Sequence, residues 1–138
     1  MRGPRGRGSI PPVMSLEVTT EARSGVTLVT LGGELDIYTV AGFRHDLEDV
    51  DPAARPLVID LTDVTLLDSS GLGALVSLLN RARGADGQLG LICPHRRLRR
   101  VFEITGLRRA FVFGDDLDDV LAALAEGPDG TATETDSN

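Results

Sequence analysis

The chain has 138 residues, enough for one domain and too few for two comfortable ones. Its formal charge of −7 argues against a nucleic-acid binder, and all 14 of its basic residues are arginine, which excludes a P-loop, Schiff-base or kinase ATP lysine. With a lone Cys93, no apolar run approaching the ~18 residues of a membrane span, and no secretory pattern, a reducing cytoplasmic setting is expected.

Residues 1–14 are Gly, Arg and Pro with few apolar anchors, and read as a disordered leader. Of the two methionines, Met14 rather than Met1 is the expected start, because a domain-like pattern begins directly after it. From Leu16 apolar and polar residues alternate at the period of a half-buried strand. Ser24-Gly25 makes a turn and Val26 to Leu31 resumes the alternation, which predicts a hairpin. Gly32-Gly33 then breaks the pattern before Glu34-Leu35-Asp36.

Thr39 is an expected N-cap for a helix over 40–50, with Val40, Phe43, Leu47 and Val50 on one face and Asp51-Pro52 as its stop. Leu57-Val58-Ile59 is the continuous apolar run of a strand buried in mid-sheet, and is expected to pass into a polar loop. The chain then turns at Asp68-Ser69-Ser70-Gly71 into a helix over about 70–83, its stripe formed by Leu72, Leu75, Leu79 and Ala82 and its stop by Gly84.

Leu89 to Cys93 is a further buried strand, parallel to the previous one because a helix intervenes. Pro94 opens a helix carrying Leu98, Val101, Phe102 and Thr105 as far as Gly106, and Ala110 to Phe113 is a short edge strand. Asp115 and Asp116 put negative charge at the start of a last helix with Leu117, Val120, Leu121 and Leu124 inward. Residues 127–138 read as a disordered acidic tail. The order ββαβαβαβα predicts a single α/β domain over 15–126, a small mixed sheet with helices mainly on one face.

Chemistry concentrates where the central strand hands over to the helix at Asp68-Ser69-Ser70-Gly71. The loop after the carboxyl end of a strand is where function gathers in open α/β sheets, and unpaired amides at a helix start favour negative charge. A phosphate on one of these hydroxyls is well placed. The same tetrapeptide also suits a plain helix cap. Against that reading, Gly71 and Gly73 weaken the first turns by roughly 1 kcal/mol each, a cost that close approach of a partner backbone would explain. Asp36 and Asp68 likewise admit plain structural roles. Neither serine lies in Gly-x-Ser-x-Gly, which disfavours a hydrolase. His45 and His95 are far apart and give no zinc spacing. Arg96, Arg97, Arg99 and Arg100 are split by apolar positions onto a solvated helix face, and Cys93 reads as inert packing.

Three stretches in this order, Gly33-Glu34-Leu35-Asp36, Leu67 to Gly73 and Phe102 to Leu107, resemble a STAS domain of the anti-sigma factor antagonist type over roughly 15–125. That resemblance implies a STAS-like fold and a non-enzymatic phospho-switch with no cofactor. In such proteins the serine after the Asp is phosphorylated by an anti-sigma factor that is itself a serine kinase, and a metal-dependent phosphatase removes the phosphate. The unphosphorylated form binds the anti-sigma factor and frees sigma. Carried over by position, Ser69 is the acceptor, with Ser70 the alternative. Asp36, Asp68, Ser70, Gly71, Leu72 and Gly73 then form the partner-binding surface, and neither nucleic acid nor membrane is a partner. The alternative implied is a STAS adaptor subunit that is never phosphorylated, for instance in a transporter complex.

Overall fold

The computed structural model describes residues 15–126; the readings of the leader and the tail lie outside them. Five strands form one sheet in the order β1-β2-β3-β4-β5, with β1 Leu16–Arg23, β2 Val26–Leu35, β3 Leu57–Leu67, β4 Leu89–Ile92 and β5 Val112–Gly114. The β1–β2 pair is antiparallel, and every later pair is parallel. Ser24 and Gly25 close the hairpin with φ of 55° and 83°, the left-handed pair of a two-residue turn that matches strand twist. Each later connection carries a helix, as parallel pairing requires: α1 Val40–Asp46, α2 Ser69–Gly84 and α3 Arg96–Ile104, with α4 Leu117–Ala125 after β5.

The main core lies on one face of the sheet, where Val29, Leu31, Leu57, Ile59, Leu61 and Leu91 meet Phe43 of α1, Leu75 and Leu79 of α2, and Leu98 and Phe102 of α3. On the other face Val26, Leu28, Val58 and Ile92 pack against Val120 and Leu124 of α4. Three helices therefore share one face, and the fourth covers part of the other. Phe102 sits edge-on to Phe111 and Phe113, with ring centroids 5.5 and 5.0 Å away, a favoured aromatic geometry. Arg81 of α2 donates to the carbonyls of Leu47, Glu48 and Val50, supplying partners to the chain just beyond α1.

Several boundaries differ from the sequence reading. Gly32-Gly33 does not end β2, which runs on to Leu35, and the expected polar loop after Ile59 is strand as far as Leu67. The β2–β3 ladder shifts register twice, between Thr30 and Gly32 and between Gly33 and Glu34. Buried residues of β3 consequently fall at Leu61, Val64 and Leu67, three apart instead of two. Gly33 of β2 has φ 113°, and a Cβ there would lie 2.3 Å from the Ser15 carbonyl oxygen, so β2 needs glycine opposite the bulged β3. The first helix is shorter than expected, because Leu47 to Asp49 form a turn before Asp51-Pro52 is reached.

Candidate functional site

Because β2 and β3 are parallel neighbours that end together at the pair Leu35↔Leu67, the segments leaving them lie side by side. One is the turn Asp36-Ile37-Tyr38-Thr39, the other the start of α2. Asp68 joins them. Its backbone N–H donates to the Leu35 carbonyl at 3.3 Å. Its carboxylate accepts from the Gly71 N–H at 3.0 Å through Oδ1 and from the Ile37 N–H at 3.1 Å through Oδ2. One carboxylate thus caps the helix and pins the neighbouring turn.

Asp36 is 3% exposed, the one buried charged residue among those described. Its Oδ1 accepts from the backbone N–H groups of Tyr38 at 2.9 Å and Thr39 at 3.1 Å, with the Thr39 hydroxyl at 3.3 Å. The Thr39 hydroxyl accepts from the Asp36 N–H and donates to the Glu34 carbonyl at 2.7 Å. These bonds engage Oδ1 of the buried carboxylate within its own turn, which offsets part of the cost of burying it. Thr39 stands at the N-cap of α1 as expected, and its hydroxyl is used in this turn and not in a side-chain capping bond. Among the described residues no hydrogen bond links Asp36 to Ser69; the bonds of Asp36 fix the shape of its own turn.

Ser69 is the first residue of α2, and it is exposed. Its hydroxyl takes part in no hydrogen bond with a described residue, whereas Ser70 beside it is half-buried. The amides of Ser69 and Ser70 have no carbonyl one turn earlier in the helix, leaving donors at the surface. The turn that Asp68 pins carries two exposed large side chains, Ile37 at 61% and Tyr38 at 70% exposure. Sequence reasoning missed both. Their signal was two large apolar residues placed between a strand and a helix, outside any buried period.

The expected docking surface divides in two. Gly73 is exposed with open space above it, while Asp36, Gly71 and Leu72 are buried. A Cβ on Gly71 would fall 2.4 Å from the Leu35 carbonyl oxygen and 2.7 Å from Leu35 Cγ. Glycine at 71 is therefore explained by the approach of α2 to the end of β2 inside the domain, without any appeal to a partner. Within the tetrapeptide it is Asp68 that serves as the N-cap of α2. His45 and His95 remain on separate elements, and no cluster of metal-ligating side chains occurs among the described residues. No helix there is long and apolar enough to cross a membrane.

Known proteins resemble this chain in sequence and fold. The chain is 34% identical over 96 residues to the anti-sigma-B factor antagonist of Staphylococcus aureus (strain NCTC 8325 / PS 47), covering 69% of this chain and 89% of that protein. It is 33% identical over 95 residues to the anti-sigma-B factor antagonist of Bacillus subtilis (strain 168), covering 69% and 87%. A crystal structure of an anti-sigma factor antagonist from Mycobacterium paratuberculosis matches with TM-score 0.67 at 32% identity, over 80% of this chain and 95% of that one. Residues 17–120 fit the STAS domain model, from within β1 to the middle of α4. With that match over most of the described residues and relatives at 34% and 33% identity, this chain belongs to the STAS domain family.

Proposed function

We propose that this protein is a cytoplasmic anti-sigma factor antagonist, a binding protein and not an enzyme, whose grip on an anti-sigma factor is set by phosphorylation of Ser69. The observation that carries the reading is the exposed, unengaged Ser69 hydroxyl beside the exposed Ile37 and Tyr38. An apolar contact and a modifiable polar group then share one small surface, as a charge-gated interface requires. The named relatives supply the partner class, an anti-sigma factor.

In this reading Asp68 holds the turn and the helix start in register, and Asp36 and Gly71 keep that geometry from inside. Gly73 and Ser70 edge the surface, with buried Leu72 anchoring the first turn beneath them. The anti-sigma factor is the serine kinase and brings ATP; a metal-dependent phosphatase reverses the reaction. The chain itself needs no cofactor.

A phosphoserine adds about −1.5 to −2 charges. At the start of α2 that charge meets unpaired amides and the positive end of the helix, so the fold tolerates it. A partner surface shaped for a neutral serine does not. Two unit charges ~4 Å apart repel by roughly 4 kcal/mol at an effective dielectric near 20. Screening leaves ~1–3 kcal/mol, or about 5- to 150-fold in affinity.

The test is to incubate the protein with candidate kinase partners and ATP and to map the modified residue by mass spectrometry. Ser69→Ala is expected to take no phosphate and to bind the anti-sigma factor constitutively, and Ser69→Asp to bind weakly with an unchanged melting temperature. Undiminished phosphorylation of Ser69→Ala would move the site to Ser70. A chain that binds its regulators with no dependence on charge at this position would instead be the unphosphorylated adaptor.

A further inference from the structure

Away from Ser69 the described residues enclose a cavity of about 290 Å³ between the last turns of α2 and α4 and the approach to β5. It exists because β5 is short. The β4–β5 ladder starts at Gly90↔Val112, so Gln88 and Leu89 have no β5 residue opposite them. Buried Leu79, Leu89, Phe111 and Leu124 form its floor, and exposed Arg83 and Arg109 form its rim. Leu79 and Arg83 lie ten and fourteen residues beyond Ser69 on α2, roughly 15 and 21 Å along the helix axis.

We propose that this cavity binds a small amphipathic anion, a carboxylate carried on an aliphatic body. Three observations give the ligand its character. The volume falls at the lower edge of small-molecule pockets, roughly 300–1,000 Å³, which suits a medium-length chain. The lining holds two guanidinium groups and no carboxylate, although the whole chain has 21 acidic residues and a net charge of −7. Neither arginine has an ion-pair partner among the described residues.

The polar groups nearby are arranged to the same end. Arg83 Nη2 donates to the Ala110 carbonyl at 3.1 Å, which holds that guanidinium at the rim with further donors unspent. Gln88 Nε2 donates to the Leu124 carbonyl at 3.0 Å. Two carbonyl oxygens that would repel an anion are thereby engaged. Arg109 makes no hydrogen bond to a described residue and supplies a second positive charge at the rim. An apolar floor under a positive rim is complementary to a fatty carboxylate and not to a neutral or cationic one. This inference does not rest on the reading of Ser69.

The experiment is calorimetric titration of the full chain with decanoate, with decanol as the neutral control, and amide chemical shifts to locate the ligand. Decanoate is expected to bind with shifts centred on Leu89, Val112 and Ala123, and decanol to bind at least about fivefold more weakly. Arg109→Gln, which removes a charge that holds nothing else in place, is expected to weaken decanoate roughly fivefold without affecting decanol. Ala123→Leu fills the space and should abolish binding of both. Equal affinities for decanoate and decanol, shifts centred elsewhere, or an Arg109→Gln protein that binds decanoate like the parent would each overturn the proposal. Should Ala123→Leu fail to fold, the surface variant Arg109→Gln still decides.

Discussion

Glycine at 71 and glycine at 73 stand two residues apart on the same helix, and alanine at each is expected to act in opposite directions. Helix propensity alone favours Gly→Ala at both by about 1 kcal/mol. At 73 nothing lies within 4 Å of an added Cβ, so Gly73→Ala should gain most of that. At 71 the methyl would sit 2.4 Å from the Leu35 carbonyl oxygen and 3.0 Å from its carbon. That carbonyl cannot retreat cheaply, because it also accepts the Asp68 N–H at the end of a paired strand. Forcing a methyl into such a contact typically costs 1–3 kcal/mol. The rigidity of the neighbour puts Gly71→Ala near the top, for a net loss of about 2 kcal/mol after the propensity gain.

Residues 15–126 number 112. With an unfolding entropy near 2.1 cal/mol/K per residue, each kcal/mol moves the melting temperature by about 4 °C. Circular dichroism melts should therefore show Gly71→Ala about 8 °C below the parent and Gly73→Ala ~2–4 °C above it. Parity of the two variants, or a stabilised Gly71→Ala, would show that the close approach of α2 to β2 does not set the identity of residue 71.

Asp68→Ala removes both the cap of α2 and the tie to the Ile37 N–H, and should cost ~1–3 kcal/mol in urea unfolding, with faster amide exchange at Ile37 to Thr39. An exchange profile unchanged in that turn would show that the tie does not hold it. Burial pushes the Cys93 thiol up, against the opposing pull of the Arg99 guanidinium and of the His95 backbone. The unfolded chain then loses the thiol proton at a lower pH than the folded one. Cys93 thus contributes stability that is full below its ordinary range near 9.0 and declines as pH rises from there. Urea midpoints of parent and Cys93→Ala taken from pH 7 to 10 should converge as pH rises, and a constant gap would refute the assignment. The native thiol should also react slowly with a disulfide reagent at pH 8, reaching full rate only in denaturant.

What the sequence determined by itself was whatever depends on neighbours along the chain. The hairpin turn, the apolar stripe of α2, the helix between each pair of later strands and the acidic start of α4 are local chemistry, and the structure has them in place. The exposed hydroxyl at the start of α2 belongs to this group, since it follows from where a strand stops and a helix begins.

Tertiary contacts decided the rest. Two bulges turned the period of β3 from two into three, so a continuous strand read as a polar loop until its partner β2 supplied the register. Gly71 read as room for a partner until the Leu35 carbonyl was seen to fill that room from within. Ile37 and Tyr38 became a surface only because Asp68, thirty-one residues from Ile37, ties their turn to the serine. Contacts that distant are fixed by which strands pair and in what register, and no spacing along the chain encodes that.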